Sequence, residues 1–506
     1  MTQAAAAGKR GSSIGGPEDL FKMLGAAGLK ERIFFTLGMI AIYRIGVHIP
    51  LPGVDPGAMV RHQELATSLL GMIDLFTGGA LNKLSIFSMG IGPYITASII
   101  MQLMTVVFPK LEDLQKNSGE AGRKQLAQYT RYATVFLAAF QSFMLARLLT
   151  SIRDAQGFHD VVPFAGPALL FGIPAFVWVA TLIMTASAMF VMWIGEIITV
   201  NGVGNGASLL IFLGIAARLP VMVRNTWESV HEGQTSAAGA VALLIVFLGL
   251  TALVVCLQQG VRKVLVLGRK NVGRQMLAMP EDYLYLPVNA SGVMSIIFAS
   301  SLLMFPSTIM QFANRMPGGA NPMQGLYDVI AKVPGLGPAF VSFASMNWVK
   351  QGWDFVTQEF FYMMSYSHWE HSLVYFILIM FFAFFYSSIV LQPKDMAENL
   401  RRSGRAIQGV KPGRPTGEYL EKVLARLTVI GAVAIAAVAI LPIHAEQLTG
   451  VQTLQGLGST SLIILVGVAI DTQRQIKTHA LSAKYQARGL FRQPGAQDKK
   501  ENKEEA

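Results

Sequence analysis

Charge is what this 506-residue chain has least of: Asp, Glu, Lys and Arg make up 14% of it, where a soluble globular chain carries about 25%. With 52% hydrophobic residues, the shortfall excludes a soluble protein and points to an integral membrane protein. Cysteine is nearly absent too. The single one, Cys256, sits in an apolar run and reads as a small buried residue, so neither a disulfide nor a Cys-based metal site is expected. No G-x-x-x-x-G-K-S/T loop or H-E-x-x-H helix occurs, and the eight His are scattered. No catalytic constellation, metal or cofactor is implied. Residues Met1 to Lys30 are polar and Gly/Ala-rich, without the apolar core of a cleavable signal peptide.

What is present is a series of long apolar runs. Ten read as membrane spans on the ~20-residue scale of a helix that crosses a bilayer: Ile33–Ile49, Leu84–Phe108, Leu126–Leu149, Ala168–Thr199, Ala207–Val223, Ala237–Leu257, Val288–Phe312, Leu373–Leu391, Val423–Ile443 and Leu457–Thr472. The fourth is long and carries Pro174, so it is expected to tilt or to leave its first turns outside the bilayer core. The net charge of +11 gathers in blocks: the amino terminus, the loops after spans two, six and eight, and the carboxy tail. The opposite loops hold far fewer cations, such as Arg61, Arg153, Arg224 and Lys332. The positive-inside rule therefore places both termini and the large basic loops in the cytoplasm. Spans one to five and six to ten have equal counts and opposite orientation, the layout of an inverted repeat.

The stretch Phe76 to Met104 organises the rest. A short Gly-broken helical turn (69–80) precedes an apolar helix restarting at Leu84. A broken helix at membrane depth is tolerated only where its loose backbone is buried in protein or lines a wet cavity, so the segment suggests something that blocks or lines a path. Ile91, Ile95, Ser98 and Gln102 fall on one face of the restarted helix. From periodicity alone, ordinary helix packing explains that face better than a pore lining does.

From Gly78 to Leu103 the chain meets the pattern GGAL-x-R/K-x-SIF-x-x-G-I-x-PYI-x-ASII-x-QL. It closely resembles the second transmembrane helix and plug of the SecY family, protein-conducting channels of the bacterial type. RIG-x-x-IP-x-PG between Tyr43 and Val54, NSGEAGRKQLAQYTRYAT from Asn117, MFVMWIGEIITVNGVGNGASLLIF from Met189, LPVNASGVMSIIFASSLLMFP from Leu286, PKDMAENLRRSG from Pro393 and GSTSLIILVGVAIDTQRQI from Gly458 extend the resemblance over essentially every span. Within these blocks, Gly202, Gly204 and Gly206 could cradle an anion or form a tight turn with Asn205 near the next helix start; the turn is preferred. Glu196 lies near the membrane surface, and no partner for a proton relay is legible.

The resemblance implies an all-α polytopic membrane protein of ten transmembrane helices in two inverted five-helix halves with a re-entrant plug helix. The layout is a cytoplasmic tail (1–31), a first half (32–225), a second half (226–475) with cytoplasmic loops 258–287 and 393–422, and a second cytoplasmic tail (476–506). It implies an apolar pore ring of Ile91, Ile95, Ile211, Ile297 and Ile464, and a plug including Leu69, Leu75, Phe76, Gly78 and Gly79. A lateral gate would use Thr96, Ser98, Gln102 and Asn289, which can offer weak interhelical hydrogen bonds. Arg262, Lys263, Lys270, Arg274, Arg401, Arg402 and Lys411 would dock cytoplasmic partners. The implied partners are SecE, SecG, the SecA ATPase, the ribosome, signal sequences, unfolded preproteins and lipid, in a bacterial inner membrane.

The chain departs from the family in places. Ser295 stands where Pro is usual, Gln408 and Lys411 replace Pro and Arg, and the loop 258–287, whose alternation from Val261 to Leu267 predicts a β-hairpin, keeps little beyond Arg262, Lys263 and Lys270. The outer connection 313–372 is longer than usual, with Trp348, Trp353 and Trp369 suited to the membrane interface and an interfacial helix expected over Val349–Met364. An ion-coupled secondary transporter also uses inverted repeats, but it would need intramembrane ionisable residues that the span middles nearly lack. A helical scaffold is a third alternative, weakened by the half-helix.

Overall fold

Helices account for most of the computed structural model, which describes residues 29–55, 74, 77–116, 119–151, 161–163, 167, 173–233, 236–272, 275–278, 282–303, 369–449 and 459–487. In order they are α1 (Leu29–Gly46), α2 (Gly92–Val107), the short α3 (Pro109–Lys116), α4 (Gly119–Ser151), α5 (Ala175–Asn201), α6 (Gly206–His231) and α7 (Ala237–Gln259). After three strands come α8 (Met294–Leu303), α9 (Trp369–Val390), α10 (Pro393–Arg402), α11 (Arg414–Thr449) and α12 (Ser459–Ala487). Every expected span holds a helix. Among the described residues, six stretches are long and apolar enough to cross a membrane: α4, α5, α6, α7, Trp369–Arg402 and the apolar part of α11. The helices α2 and α8 are shorter, though apolar. Leu69, Leu75, Phe76, Arg274 and the expected interfacial helix lie outside the described residues.

Two helix starts differ from expectation. The second span does not begin as helix at Leu84. Leu84 takes φ +47°, its carbonyl accepts from Leu51 N–H (2.8 Å), and Ile86 N–H donates to Ile49 O (3.0 Å). The backbone of 84–86 is thus paired with the chain leaving α1, and the helix opens only at Gly92 with Pro93 in its first turn, where a missing N–H does no harm. In the fourth span, helix begins at Ala175 rather than at Ala168, with Pro174 as its N-cap. Cys256 is exposed on α7 rather than buried; in a membrane an apolar outer face meets lipid, so hydrophobic surroundings in sequence do not imply burial.

Helix association in lipid gains little from the hydrophobic effect, so close backbone approach takes over. A Cβ on Gly206 would sit 1.9 Å from Gly195 O, joining α6 to α5, and one on Gly431 of α11 would sit 2.4 Å from Val288 O. In the first half α4 packs on α5 and α2, and α5 on α6 and α1; in the second, α7 and α9 pack on α11, and α12 on both α7 and α11. The halves meet where α12 touches α6 and α1, and where α6 touches α7.

The expected hairpin is larger than its sequence signal. β1 (Val261–Val272) pairs antiparallel with β2 (Gln275–Ala278) and with β3 (Asp282–Pro287), and also with β4 (Arg405–Ile407) from the other large loop. Alternation along β1 puts the buried Val264 and Val266 on one face and the exposed Lys263 and Leu267 on the other. Val264, Leu286 and Ile407 then cluster with Leu420, Val423, Leu424 and Leu427 of α11, fixing the sheet on that helix.

Candidate functional site

Five isoleucines converge from both halves. Ile91 precedes α2, Ile95 lies on it, Ile211 lies on α6, Ile297 on α8 and Ile464 on α12. All five are buried, from 0% exposed at Ile464 to 9% at Ile95, and all belong to one apolar cluster. Such a cluster offers no fixed donor or acceptor, so a hydrated ion entering it must shed water without replacement.

Next to it lies the turn formed by Asp74 and residues 77–82. Asp74 is fully buried, and its Oδ1 accepts from Asn82 N–H (2.9 Å) and lies 3.4 Å from Thr77 Oγ1. Its main-chain oxygen accepts from Thr77 Oγ1 and Gly79 N–H, both at 3.1 Å. Three helix side chains grip this turn. Tyr43 Oη donates to Thr77 O (3.2 Å), Arg44 Nη1 to Gly78 O (3.3 Å), and Arg218 Nη2 lies 2.9 Å from Asp74 Oδ2. Gly78 has φ +71°, and a Cβ there would come 2.8 Å from Gly214 Cα on α6, so both the backbone conformation and the close approach require glycine.

The 202–206 loop is a turn, as preferred from sequence. Gly202 N–H donates to Ile198 O (2.8 Å), Val203 N–H to Thr36 Oγ1 (3.0 Å), Gly204 N–H to Gln475 Oε1 (3.0 Å) and Gly206 N–H to Thr199 Oγ1 (2.8 Å). Asn205 caps α6 through Ser208 N–H (3.2 Å). These amides are occupied by the Ile198 carbonyl and by side chains of α1, α5 and α12, which leaves them no capacity for an anion. Glu196, without a legible partner in the sequence, is held by a two-pronged contact: Arg131 Nε and Nη2 donate to its two carboxylate oxygens at 3.0 and 2.8 Å, tying α4 to α5.

The four residues expected at the lateral gate are half-buried. The hydrogen bonds they make run within their own segments, not between helices. Thr96 Oγ1 donates to Gly92 O (3.2 Å), Gln102 Nε2 to Ser98 Oγ (3.3 Å), and Asn289 Nδ2 to Gly292 O (3.0 Å). The reason is local: on α2, Thr96 and Gln102 find the carbonyl or hydroxyl four residues back before they find a neighbouring helix, and Asn289 bonds across the turn that precedes α8. Ser295 sits in the first turn of α8, 3.1 Å from Ser291 Oγ. On the four-stranded sheet and its neighbours, Arg262, Lys263, Arg401, Arg402 and Lys411 are exposed. Lys263 Nζ lies 5.9 Å from the Tyr285 ring centroid, and Arg401 and Arg402 share Glu398 at 2.8 and 3.1 Å. Lys270 lies on β1.

Asp74, Arg218 and the Arg131–Glu196 pair escaped the sequence reading as functional positions. The available signal was Arg218 itself, a cation inside an apolar run, which calls for a partner.

A model of the SecY family matches residues 85–473. The "Protein translocase subunit SecY" of Synechocystis sp. is 40% identical over 480 residues, 94% of this chain and 97% of that protein. Its counterpart from Escherichia coli strain K12 is 34% identical over 466 residues, 92% of this chain and 94% of that protein. A solved structure described as "The structure of a protein conducting channel" covers 90% of this chain and 93% of its own at a TM-score of 0.57 and 16% identity, a likeness of fold. A structure concerned with the plug domain of the SecY protein has a TM-score of 0.58, 16% identity and the same two coverages. Matched along most of its length by both the family model and these relatives, the chain belongs to the SecY family.

Proposed function

We propose that this chain is the pore-forming subunit of a protein translocase, passing unfolded secretory polypeptides across a bacterial inner membrane and releasing apolar helices sideways into lipid. The observation that supports this reading, within a chain of this family, is the burial of Ile91, Ile95, Ile211, Ile297 and Ile464 in one cluster fed by both halves. A collar of that kind impedes hydrated ions through desolvation while discriminating little among polypeptide sequences. The segment around 69–80 acts as the plug beneath it. The halves 32–225 and 226–475 form the two sides of the pore, with the tails 1–31 and 476–506 in the cytoplasm.

In this reading the lateral gate lies between α2 and α8, near Thr96, Ser98, Gln102 and Asn289. Among the described residues those side chains bond within their own segments, so parting the helices breaks no hydrogen bond that they make, and an apolar signal sequence can take the place of one helix at little net cost. Gln102 Oε1 has no partner among the described residues and is available to such a helix. The protein catalyses no reaction itself, so energy comes from a driver docked on the basic loops: the SecA ATPase or a ribosome, whose phosphates favour Arg and Lys in a salt-dependent way. SecE and SecG are the membrane partners. The transporter alternative gains nothing from the relatives described above, each of them a protein translocase subunit by name.

The test is import into reconstituted vesicles. A preprotein becoming protease-protected only with SecA and ATP supports the reading, and ion-gradient-driven solute uptake without such import refutes it. Signal-peptide crosslinks at Gln102 and Asn289 test the gate, and absence of adducts at both sites counts against it.

A further inference from the structure

We infer that the Asp74–Arg218 ion pair positions the plug: it latches the half-inserted turn to α6 while the pore is dry, and it must break when the channel opens. The inference rests on the channel reading above and assigns roles to two residues that reading does not use.

Three observations carry it. First, Asp74 is fully buried and the Arg218 side chain only 22% exposed, with Nη2 and Oδ2 2.9 Å apart. A carboxylate buried this deeply is retained only where a counter-charge faces it. Second, the turn is built around Asp74, whose Oδ1 accepts from Asn82 N–H while its main-chain oxygen holds Gly79 N–H. Moving Asp74 therefore moves the whole turn. Third, Arg218 lies four residues beyond Gly214, on the same face of α6, and Gly214 is the residue that Gly78 approaches. One stripe of α6 thus meets the turn twice, by backbone proximity at Gly214 and by charge at Arg218. Tyr43 and Arg44 of α1 hold only carbonyl oxygens, so the charge-to-charge contact of the turn is with α6.

The strength of such a latch depends on the state it guards. Coulomb attraction falls in inverse proportion to the local dielectric constant. A dry constriction keeps the pair strong, whereas water admitted by a polypeptide in transit weakens it, so the first step of opening eases the next.

The experiment uses the purified translocase complex in planar bilayers and vesicles, comparing wild type with Asp74→Asn, Arg218→Gln, the double variant and Arg218→Lys. Each neutral single variant is expected to raise the idle-channel open probability by about tenfold, equivalent to ~1.4 kcal/mol. The double variant should leak no more than the worse single, because both changes remove one contact. Arg218→Lys, which keeps the charge, should restore most of the seal, which a purely space-filling role of the guanidinium would not allow. The neutral variants should also import a preprotein with a defective signal sequence, since less work is needed to free the plug. Idle conductance at the wild-type level in the neutral variants, or a leak in Arg218→Lys equal to that of Arg218→Gln, overturns the latch. If a single variant fails to accumulate because a buried charge is left unpaired, the doubly neutral Asp74→Asn/Arg218→Gln decides: a seal as tight as wild type overturns the proposal. Failure of the channel reading looks different, because the wild-type complex itself would then import no preprotein with SecA and ATP.

Discussion

Cutting the tie between the two large basic loops tests which interaction holds them together. The strand β4 is three residues long, with Val266↔Ile407, Leu267↔Ala406 and Gly268↔Arg405 as its register, too short to persist on backbone pairing alone. Two side chains could anchor it. Ile407 is 3% exposed and packs into the cluster on α11; an Ile→Ala change at such a site costs about 2–5 kcal/mol. Arg405 Nη1 lies 2.7 Å from Asp282 Oδ2, but the two side chains are 43% and 55% exposed, and a solvent-screened pair contributes about 0–1 kcal/mol. Burial should win. Ile407→Ala is therefore expected to make local opening easier by at least ~2 kcal/mol, raising proteolytic cleavage of residues 393–413 about 30-fold where opening and closing are fast. Arg405→Ala should raise it by less than about fivefold. The measurement is limited proteolysis of membrane vesicles with the cytoplasmic face outward, followed by SecA-driven import on the same preparations, which should drop for Ile407→Ala alone. Equal cleavage rates for the two variants, or an unchanged rate for Ile407→Ala, refute the reasoning.

Three further outcomes are expected. Gly206→Ala pushes a methyl toward Gly195 O, 1.9 Å from the ideal Cβ, and should destabilise the α5–α6 contact by about 1–3 kcal/mol or more; a melting temperature in detergent equal to wild type would contradict the close approach. Thr36→Val leaves Val203 N–H without its acceptor, a loss of about 1–3 kcal/mol, which hydrogen exchange at that amide should reveal as faster exchange than in wild type. Ile297→Asn places a hydrogen-bonding group in the apolar cluster and should raise idle ion conductance about tenfold, the equivalent of ~1.4 kcal/mol; lowered stability with no leak would mean that Ile297 serves packing alone.

The helices were legible because each lies in a long apolar run, and the hairpin because Val261 to Leu267 alternates with period two. What was missed depends on partners far away in the chain. Nothing within 84–91 announces that its backbone pairs with residues 49–51, so an apolar run carrying Ser85 and Ser88 reads as helix from Leu84 although helix begins at Gly92. Three residues of β4 lie below any periodic signal, and their partner strand is more than a hundred residues earlier. The Glu196 partner, Arg131, is 65 residues away. For the site, the isoleucines were named by resemblance, and periodicity alone did not separate them from ordinary packing. Arg218 was visible as a charge in an apolar run, but its partner Asp74 lies in the Gly-broken segment, whose fold no local rule specifies.

The occupied amides of the 202–206 loop limit what sequence change it can absorb. Its acceptors are rooted on three separate helices: Thr36 on α1, Thr199 on α5 and Gln475 on α12. One inserted residue lengthens the chain path by up to about 3.5 Å, more than the full span of a hydrogen bond. Several N–H groups would then drift out of reach together, with no neighbour able to follow. Length in this connection is consequently under tighter constraint than residue identity, the reverse of the usual tolerance of surface loops for insertions.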